Sequence, residues 1–425
     1  MWLLRQTPGL MTDLYELTMG EAYFQKGLRG RACFEVAVRR LPEGWGFFVM
    51  AGLEELGGFV DAYQFDKEDV AWLQGTGRFS KAFLEYLGRM RPEVEVRALP
   101  EGTVFFPGEP VVEVCGGLIE AQLLESYVLN VLGFSILAAS LGARVRIAAG
   151  EKAVVDFGLR RTQGPVAAVR AARGGMMAGF AATSNVFAAR ALGFAAAGTM
   201  AHSFVESHAS EREAFEAYVD VHGEETILLI DTYEPFAGIR TAADVAREYF
   251  EKQGLRIGGI RLDSGDFVEQ ARYARRLFDE TGLGFLRIVA SGGLDEHRIA
   301  ELTAICPEID AFGIGTQFGV SRAAPDADIV YKLVRYGDRD VFKTSPGKAT
   351  RPGRKSVLRT CEGGRYVKDV VCPLREEAGD LLAPFGGAEE MGVIQERLRG
   401  ELGRLPDGIK RLERPEVYSV TFEAD

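Results

Sequence analysis

Val154-Val155-Asp156-Phe157 is a short, mostly apolar strand that runs straight into Gly158-Leu159-Arg160-Arg161, and the chain repeats that pattern up to Thr316. Ala195-Ala196-Ala197 leads into Gly198-Thr199-Met200-Ala201-His202-Ser203, and Ile227-Leu228-Leu229-Ile230 into Asp231-Thr232-Tyr233-Glu234. Ile257-Gly258-Gly259-Ile260 meets Arg261-Leu262-Asp263-Ser264-Gly265-Asp266, Leu286-Arg287-Ile288-Val289 meets Ala290-Ser291-Gly292-Gly293, and Ala311-Phe312 meets Gly313-Ile314-Gly315-Thr316. A helix-period stretch follows each burst, and this alternation predicts parallel α/β architecture. There the carboxyl ends of the strands open on one face, so the six bursts are expected to form one catalytic mouth.

Outward from this block the periodicity changes. Met11-Thr12-Asp13-Leu14-Tyr15 begins a helix, with Thr12 or Asp13 as N-cap. Segments 32–38, 94–99 and 111–114 alternate with a period of two, which predicts half-buried antiparallel strands. A helical stretch from Ile119 to Ala143 leads into the first parallel strand, and alternation returns at 329–334 and 355–359. The division expected is an N-terminal α+β domain over 1–115, a catalytic α/β domain over 116–334, and a C-terminal segment over 335–425 that rejoins or caps the first.

The 425 residues carry 61 acidic and 50 basic side chains, a formal charge of -11, which disfavours nucleic acid or an anionic membrane as partner. Charged residues near the N-terminus interrupt any signal-like apolar core, so a cytoplasmic protein is expected. The five cysteines are scattered and odd in number, and are read as thiols in a reducing compartment.

The strand-end groups suggest the chemistry. Ser291-Gly292-Gly293 and Gly313-Ile314-Gly315-Thr316 are adjacent glycine turns that let backbone N–H groups approach a phosphate. Asp231, Asp263 and Asp266 are carboxylates suited to magnesium or ribose hydroxyls, or else turn formers and helix caps. Arg160, Arg161 and Arg261 serve either as anion clamps or as surface ion pairs. His202 is a base or phosphoryl acceptor if it joins the cluster. Phe157 and Tyr15 read equally as packing residues.

Taken together and in order, Met11–Tyr15, Asp156–Arg161 with Gly164-Pro165, Thr183-Ser184-Asn185-Val186, Gly198-Thr199 with Ala201-His202-Ser203-Phe204, 260–266 and 312–316 resemble the nicotinate phosphoribosyltransferase family. The resemblance implies an irregular, incomplete α/β (TIM-like) barrel, a smaller α+β sandwich domain built from both chain ends, and a homodimer with shared active sites. It implies transfer from phosphoribosyl pyrophosphate to nicotinate, with ATP and Mg2+, in NAD salvage. It further implies that the pyridine ring stacks between Phe157 and Tyr15 of a second copy, with Asp13 also among the substrate-binding residues. Arg261 would face the nicotinate carboxylate, with Thr183 and Ser184 beside the ring. Arg160 would hold phosphate, and Asp231 and Asp263 would lie by ribose or magnesium. Ser291, Gly292, Gly293, Gly315 and Thr316 would bind the 5′-phosphate, and His202 would accept phosphate from ATP. Nicotinamide-specific relatives have an aspartate where Ser184 stands, which would repel a carboxylate. Met200 departs from the family, since many members have a second histidine there. The alternatives are a nicotinamide enzyme or a barrel acting on a sugar phosphate. The absence of a strand-end lysine counts against Schiff-base chemistry.

Overall fold

The computed structural model describes residues 8–345, 351–375 and 379–423. They fall into two compact units, Met1–Ser140 with Asp326–Asp425, and Leu141–Pro325. The boundaries are narrower than 116–334 for a hydrogen-bonding reason. Residues 329–336 form a strand of the first unit's sheet, and the helix Leu118–Leu123 packs there on the helix Leu14–Gln25.

In the first unit, β1 (Arg31–Val38), β2 (Phe48–Val49), β3 (Glu95–Ala98), β4 (Val104–Phe105) and β5 (Pro110–Gly117) come from the N-terminal segment. The second unit contributes β6 (Ala153–Asp156), β7 (Ala182–Thr183), β8 (Ile227–Leu229), β9 (Gly259–Leu262), β10 (Arg287–Ser291) and β11 (Ala311–Ile314). The chain then returns to the first unit with β12 (Ile329–Tyr336), β13 (Arg339–Asp340), β14 (Lys355–Glu362), β15 (Arg365–Pro373), β16 (Ala383–Pro384) and β17 (Ser419–Phe422).

The first unit's main sheet has the order β13-β12-β1-β5-β3-β16, so strands from both ends of the sequence share one sheet. β5 is buried along nearly its whole length rather than on alternate residues, because it lies between β1 and β3 and both of its faces are covered. The same pairing overturns the reading of five thiols. Cys33 lies directly opposite Cys115 on β5, with Cα atoms 4.1 Å apart, and the two form a disulfide. Their separation of 82 residues hid this in the sequence, and Cys306, Cys361 and Cys372 take no part in the disulfide. Cysteine usage therefore gives no support to a reducing compartment. The basic residues Lys343, Lys348, Arg351, Arg354 and Lys355, which the sequence offers either as contacts to ATP or phosphoribosyl pyrophosphate or as a solvated loop, divide: Lys355 is buried against Glu35 and Arg354 pairs with Glu113, so both serve the sheet. Lys348 lies outside the described residues.

The second unit is the expected open α/β half-barrel, six parallel strands in the order β7-β6-β11-β10-β9-β8. One strand differs from expectation. Ala195–Ala197 forms a single bridge, Ala196 to Thr183, and the regular strand is Ala182–Thr183. Three unbranched alanines are a poor basis for a longer ladder. Helices follow the strands, and three of them start on side-chain caps from Asn185 to Ala188 N–H, Asp266 to Val268 and Glu269 N–H, and Asp295 to Arg298 N–H. Asp266 is thus a helix cap, which removes it from the catalytic candidates. The helix Glu125–Ala149 is long and apolar enough to cross a membrane by composition, but its apolar window is 78% buried within the protein.

Candidate active site

At the end of β6 the chain turns on a buried carboxylate. Asp156, 1% exposed, accepts Gly158 N–H at 2.7 Å and Thr183 Oγ1–H at 2.7 Å, and its backbone oxygen accepts Ser184 N–H at 2.8 Å. Phe157 is thereby held between two tethered neighbours, its own N–H on Ile314 O at 2.7 Å. Gly313 gives the ring its room, since a Cβ there would come within 2.4 Å of it.

At the ends of β8, β9 and β10 the acidic and basic candidates converge. Asp231 Oδ2 accepts Asp263 N–H at 3.2 Å and the Ser264 hydroxyl, while Asp263 Oδ1 accepts the Ser291 hydroxyl. His202 begins the helix His202–Glu206, with Nδ1 3.1 Å from Thr232 Oγ1 and Nε2 3.9 Å from Asp263 Oδ2. Arg261 donates to Thr199 Oγ1 at 2.5 Å and lies 3.9 Å from Asp263, beyond hydrogen-bond reach. Burial lowers its pKa from the ordinary value, opposed by Asp263 and Asp231, while Arg160 adds repulsion. Arg160 is exposed and makes no hydrogen bond or ion pair among the described residues.

The glycine turns sit beside this cluster. Gly292 has φ +89°, and a Cβ there would lie 2.0 Å from Asp263 O, so only glycine fits against the carboxylate's own backbone. Gly293 and Thr316 are exposed, and Gly315 packs near Phe157 O. Met200, in the position of the missing histidine, is buried. In the first unit, Asp13 and Tyr15 are exposed at the start of their helix, Asp13 bound to Ser126 Oγ. Burial, then Glu125, raises the Tyr15 pKa above its ordinary value.

Several of the buried polar atoms without a protein partner fall at or near the second unit's strand ends, others elsewhere in both units. Asp231 Oδ1, Arg261 Nε, Asn185 Nδ2 and Glu211 Oε1 are buried without a protein hydrogen-bond partner. A buried polar atom left alone costs about 1–3 kcal/mol, and its retention here argues for a ligand. Glu211 also has its pKa raised from 4.5 to about 7, by burial first and then by Asp231 and Glu234. Sequence reasoning missed Asp156, Thr199, Thr232, Ser264 and Glu211 as contributors. Asp156 carried one usable signal, a carboxylate inside an apolar strand. Among the described residues no group of three or more His, Cys, Asp and Glu side chains is arranged around a metal position. Mg2+ bound mostly through substrate phosphates needs only one or two carboxylates, which Asp231, with its free Oδ1, and Asp263 can supply.

Comparison with known proteins agrees with this geometry. Residues 10–133 match the nicotinate phosphoribosyltransferase N-terminal domain model, and residues 152–335 the nicotinate phosphoribosyltransferase family model. A nicotinate phosphoribosyltransferase of Mycobacterium tuberculosis is 44% identical over 421 residues, covering 96% of this chain and 90% of that protein. One from Bacillus subtilis is 36% identical, covering 98% and 93%. The crystal structure of human nicotinic acid phosphoribosyltransferase superposes with a TM-score of 0.84 at 28% identity, covering 97% of this chain and 98% of that one. The models, the full-length relatives and the shared fold lead to one statement: the chain belongs to the nicotinate phosphoribosyltransferase family.

Proposed function

We infer that the protein forms nicotinate mononucleotide and pyrophosphate from nicotinate and phosphoribosyl pyrophosphate, as a step of NAD salvage. The observation that carries the substrate assignment is Arg261, a guanidinium only 13% exposed whose Nε has no protein acceptor. A buried cation in that state is prepared for an anion, and the nicotinate carboxylate supplies one where nicotinamide does not. Ser184 adds no opposing charge.

In the proposed reaction the pyridine ring lies on Phe157, with its carboxylate on Arg261 and with Thr183 and Ser184 at its edge. Departure of pyrophosphate builds positive charge on the ribosyl carbon, which Asp231 and Asp263 stabilise. Arg160 holds phosphate, and the backbone around Ser291, Gly292, Gly293, Gly315 and Thr316 takes the 5′-phosphate. Mg2+ bound at Asp231 and Asp263 would neutralise charge on the leaving pyrophosphate. His202 takes the γ-phosphoryl group of ATP on a ring nitrogen with release of ADP, and its later hydrolysis favours product formation.

A homodimer, in which Asp13 and Tyr15 of the second copy close the ring site, belongs to the same proposal. Its support is apolar exposure: Met11, Leu14 and Tyr15 are 50%, 47% and 48% exposed in one unit, and Val186 and Phe187 are 72% and 64% exposed in the other. Cytoplasmic location is also proposed, because the phosphorylated substrates are polyanions that do not cross membranes unaided.

The test is incubation with phosphoribosyl pyrophosphate, Mg2+ and either nicotinate or nicotinamide, with and without ATP, followed by assay of mononucleotide. Nicotinamide used as well as nicotinate would defeat the assignment. For the dimer, Tyr15→Ala and Arg160→Ala chains mixed under exchanging conditions are expected to recover activity that neither parent has.

A further inference from the structure

We propose that Asp156 is a positioning residue for pyridine selectivity, setting the gap between the Phe157 ring and Ser184 by tethering both sides of it from one carboxylate. The proposal rests on the reading that Phe157 and Ser184 flank the pyridine ring. One oxygen of Asp156 holds Gly158 N–H, immediately after the platform ring, and the other holds the Thr183 hydroxyl, immediately before Ser184. Thr183 Oγ1 in turn accepts Asn185 N–H at 3.1 Å, and the Asp156 backbone accepts Ser184 N–H. Every neighbour of the two ring-site residues is thus tied to this one group or to its hydroxyl partner.

A purely structural tie would not need a carboxylate. Asp156 ends β6, the strand beside the edge strand β7, paired with Thr183 on one side and Ile314 on the other, and its surroundings act on it through burial and two hydrogen bonds rather than through an ion pair among the described residues. Burial pushes its pKa up, and the bonds from Thr183 and Gly158 pull it back. An apolar residue would close the same sheet with less desolvation cost. What the carboxylate adds is two acceptor directions from a single rigid point, so the loop 156–158 and the turn 183–185 cannot move independently. Gly313 admits the ring on that side, since the Phe157 edge occupies the space a Cβ would need.

Positions fixed this way control KM for the ring substrate and its discrimination, while phosphoribosyl pyrophosphate is held mainly at β8 to β11 and otherwise by Arg160, two residues beyond the tethered Gly158. The experiment measures KM for nicotinate, KM for phosphoribosyl pyrophosphate, the nicotinate-to-nicotinamide ratio of kcat/KM, and Tm. The variants are Asp156→Asn, Thr183→Val and Thr183→Ser, with Phe157→Ala and Ser184→Asp as controls. Asp156→Asn and Thr183→Val are expected to raise KM for nicotinate roughly tenfold and to lower the ratio similarly, the scale of a small misplacement. In Thr183→Val, where the lost tether is on the Ser184 side, KM for phosphoribosyl pyrophosphate is expected to stay within about twofold, and Thr183→Ser, which restores the hydroxyl, to recover wild-type values. Equal rises in both KM values, or an unchanged ratio, in a folded Thr183→Val enzyme would overturn the proposal. If the two controls also leave the ratio unchanged, the ring-site reading itself fails; if the controls respond and Asp156 and Thr183 do not, only this proposal does.

Discussion

Arg359 in the first unit and Arg261 in the second are both buried arginines beside carboxylates, and their surroundings differ in one respect. Arg359, 5% exposed, makes a forked pair with Asp369, from Nε at 2.9 Å and Nη2 at 2.6 Å, and gives Nη1 to Glu401 at 2.9 Å. Glu401 also accepts from Tyr366, and Asp369 from Tyr418. Arg261 has a threonine hydroxyl, an orphaned Nε and a carboxylate at 3.9 Å. Similar charges are therefore placed in two ways: matched to one another they hold strands together, and left partly unmatched, as at Arg261, they suit the ligand role proposed above.

The largest effects should separate these two arginines cleanly. Arg359→Ala is expected to cost about 3–5 kcal/mol of stability, because it strands Asp369 and Glu401 without their cation. Chemical denaturation measures this loss. Arg261→Ala is expected to lower kcat/KM for nicotinate about a hundredfold, the scale of losing one side of a buried charge pair, with Tm unchanged or higher. A large Tm fall in Arg261→Ala would erase the contrast.

The histidine is a milder case of an incomplete site. Its contacts are one threonine hydroxyl and a distant carboxylate, so His202→Ala should fold normally, lose radiolabel transfer from ATP and lose ATP stimulation, while keeping basal transfer. Label persisting in that variant would remove His202 from the phosphoryl step.

Two glutamates sharpen the comparison by pH. Glu109 is fully buried beside Asp369, and burial first, then Asp369, raises its pKa well above the ordinary 4.5. Because the folded pKa lies above the unfolded one, Glu109 contributes stability below about pH 4.5 that is lost as pH rises towards its folded value. Glu109→Gln keeps a donor for Asp369 and cannot ionise, so its Tm relative to wild type should climb with pH. Glu211 follows the same sign: its contribution is present below about pH 4.5 and lost as pH rises through about 7. Glu211→Gln should gain less than Glu109→Gln, because Glu211 is partly solvated. Thermal scans from pH 5 to pH 8 check both, and a Tm difference flat with pH would show the glutamate already ionised.

Much of the site could be read in sequence because strand ends need no tertiary knowledge to locate. An apolar tetrad followed by glycine, aspartate or arginine marks where a parallel strand must stop, and Asp231, Asp263, Arg261 and Ser291 were found that way. The weaker strand shows the limit. Ala195–Ala197 had the pattern without the β-branched residues, and the ladder formed at Ala182–Thr183 instead. The positioning residues were harder still. Thr232 and Thr199 have no local signature, since a threonine becomes a partner for His202 or Arg261 only when separate loops meet.

By itself the sequence determined the parallel α/β class, the order of the strand-end groups and the family likeness they carry. These depend on local periodicity and on residue chemistry, which the linear chain displays. Tertiary structure alone decided that Cys33 faces Cys115, that β12 returns to β1, and that Asp156 ties Thr183 to the Phe157 turn. It also decided which charges were satisfied. Hydrogen bonding is settled by distances of a few ångströms between residues tens or hundreds of positions apart, and no local pattern encodes those distances.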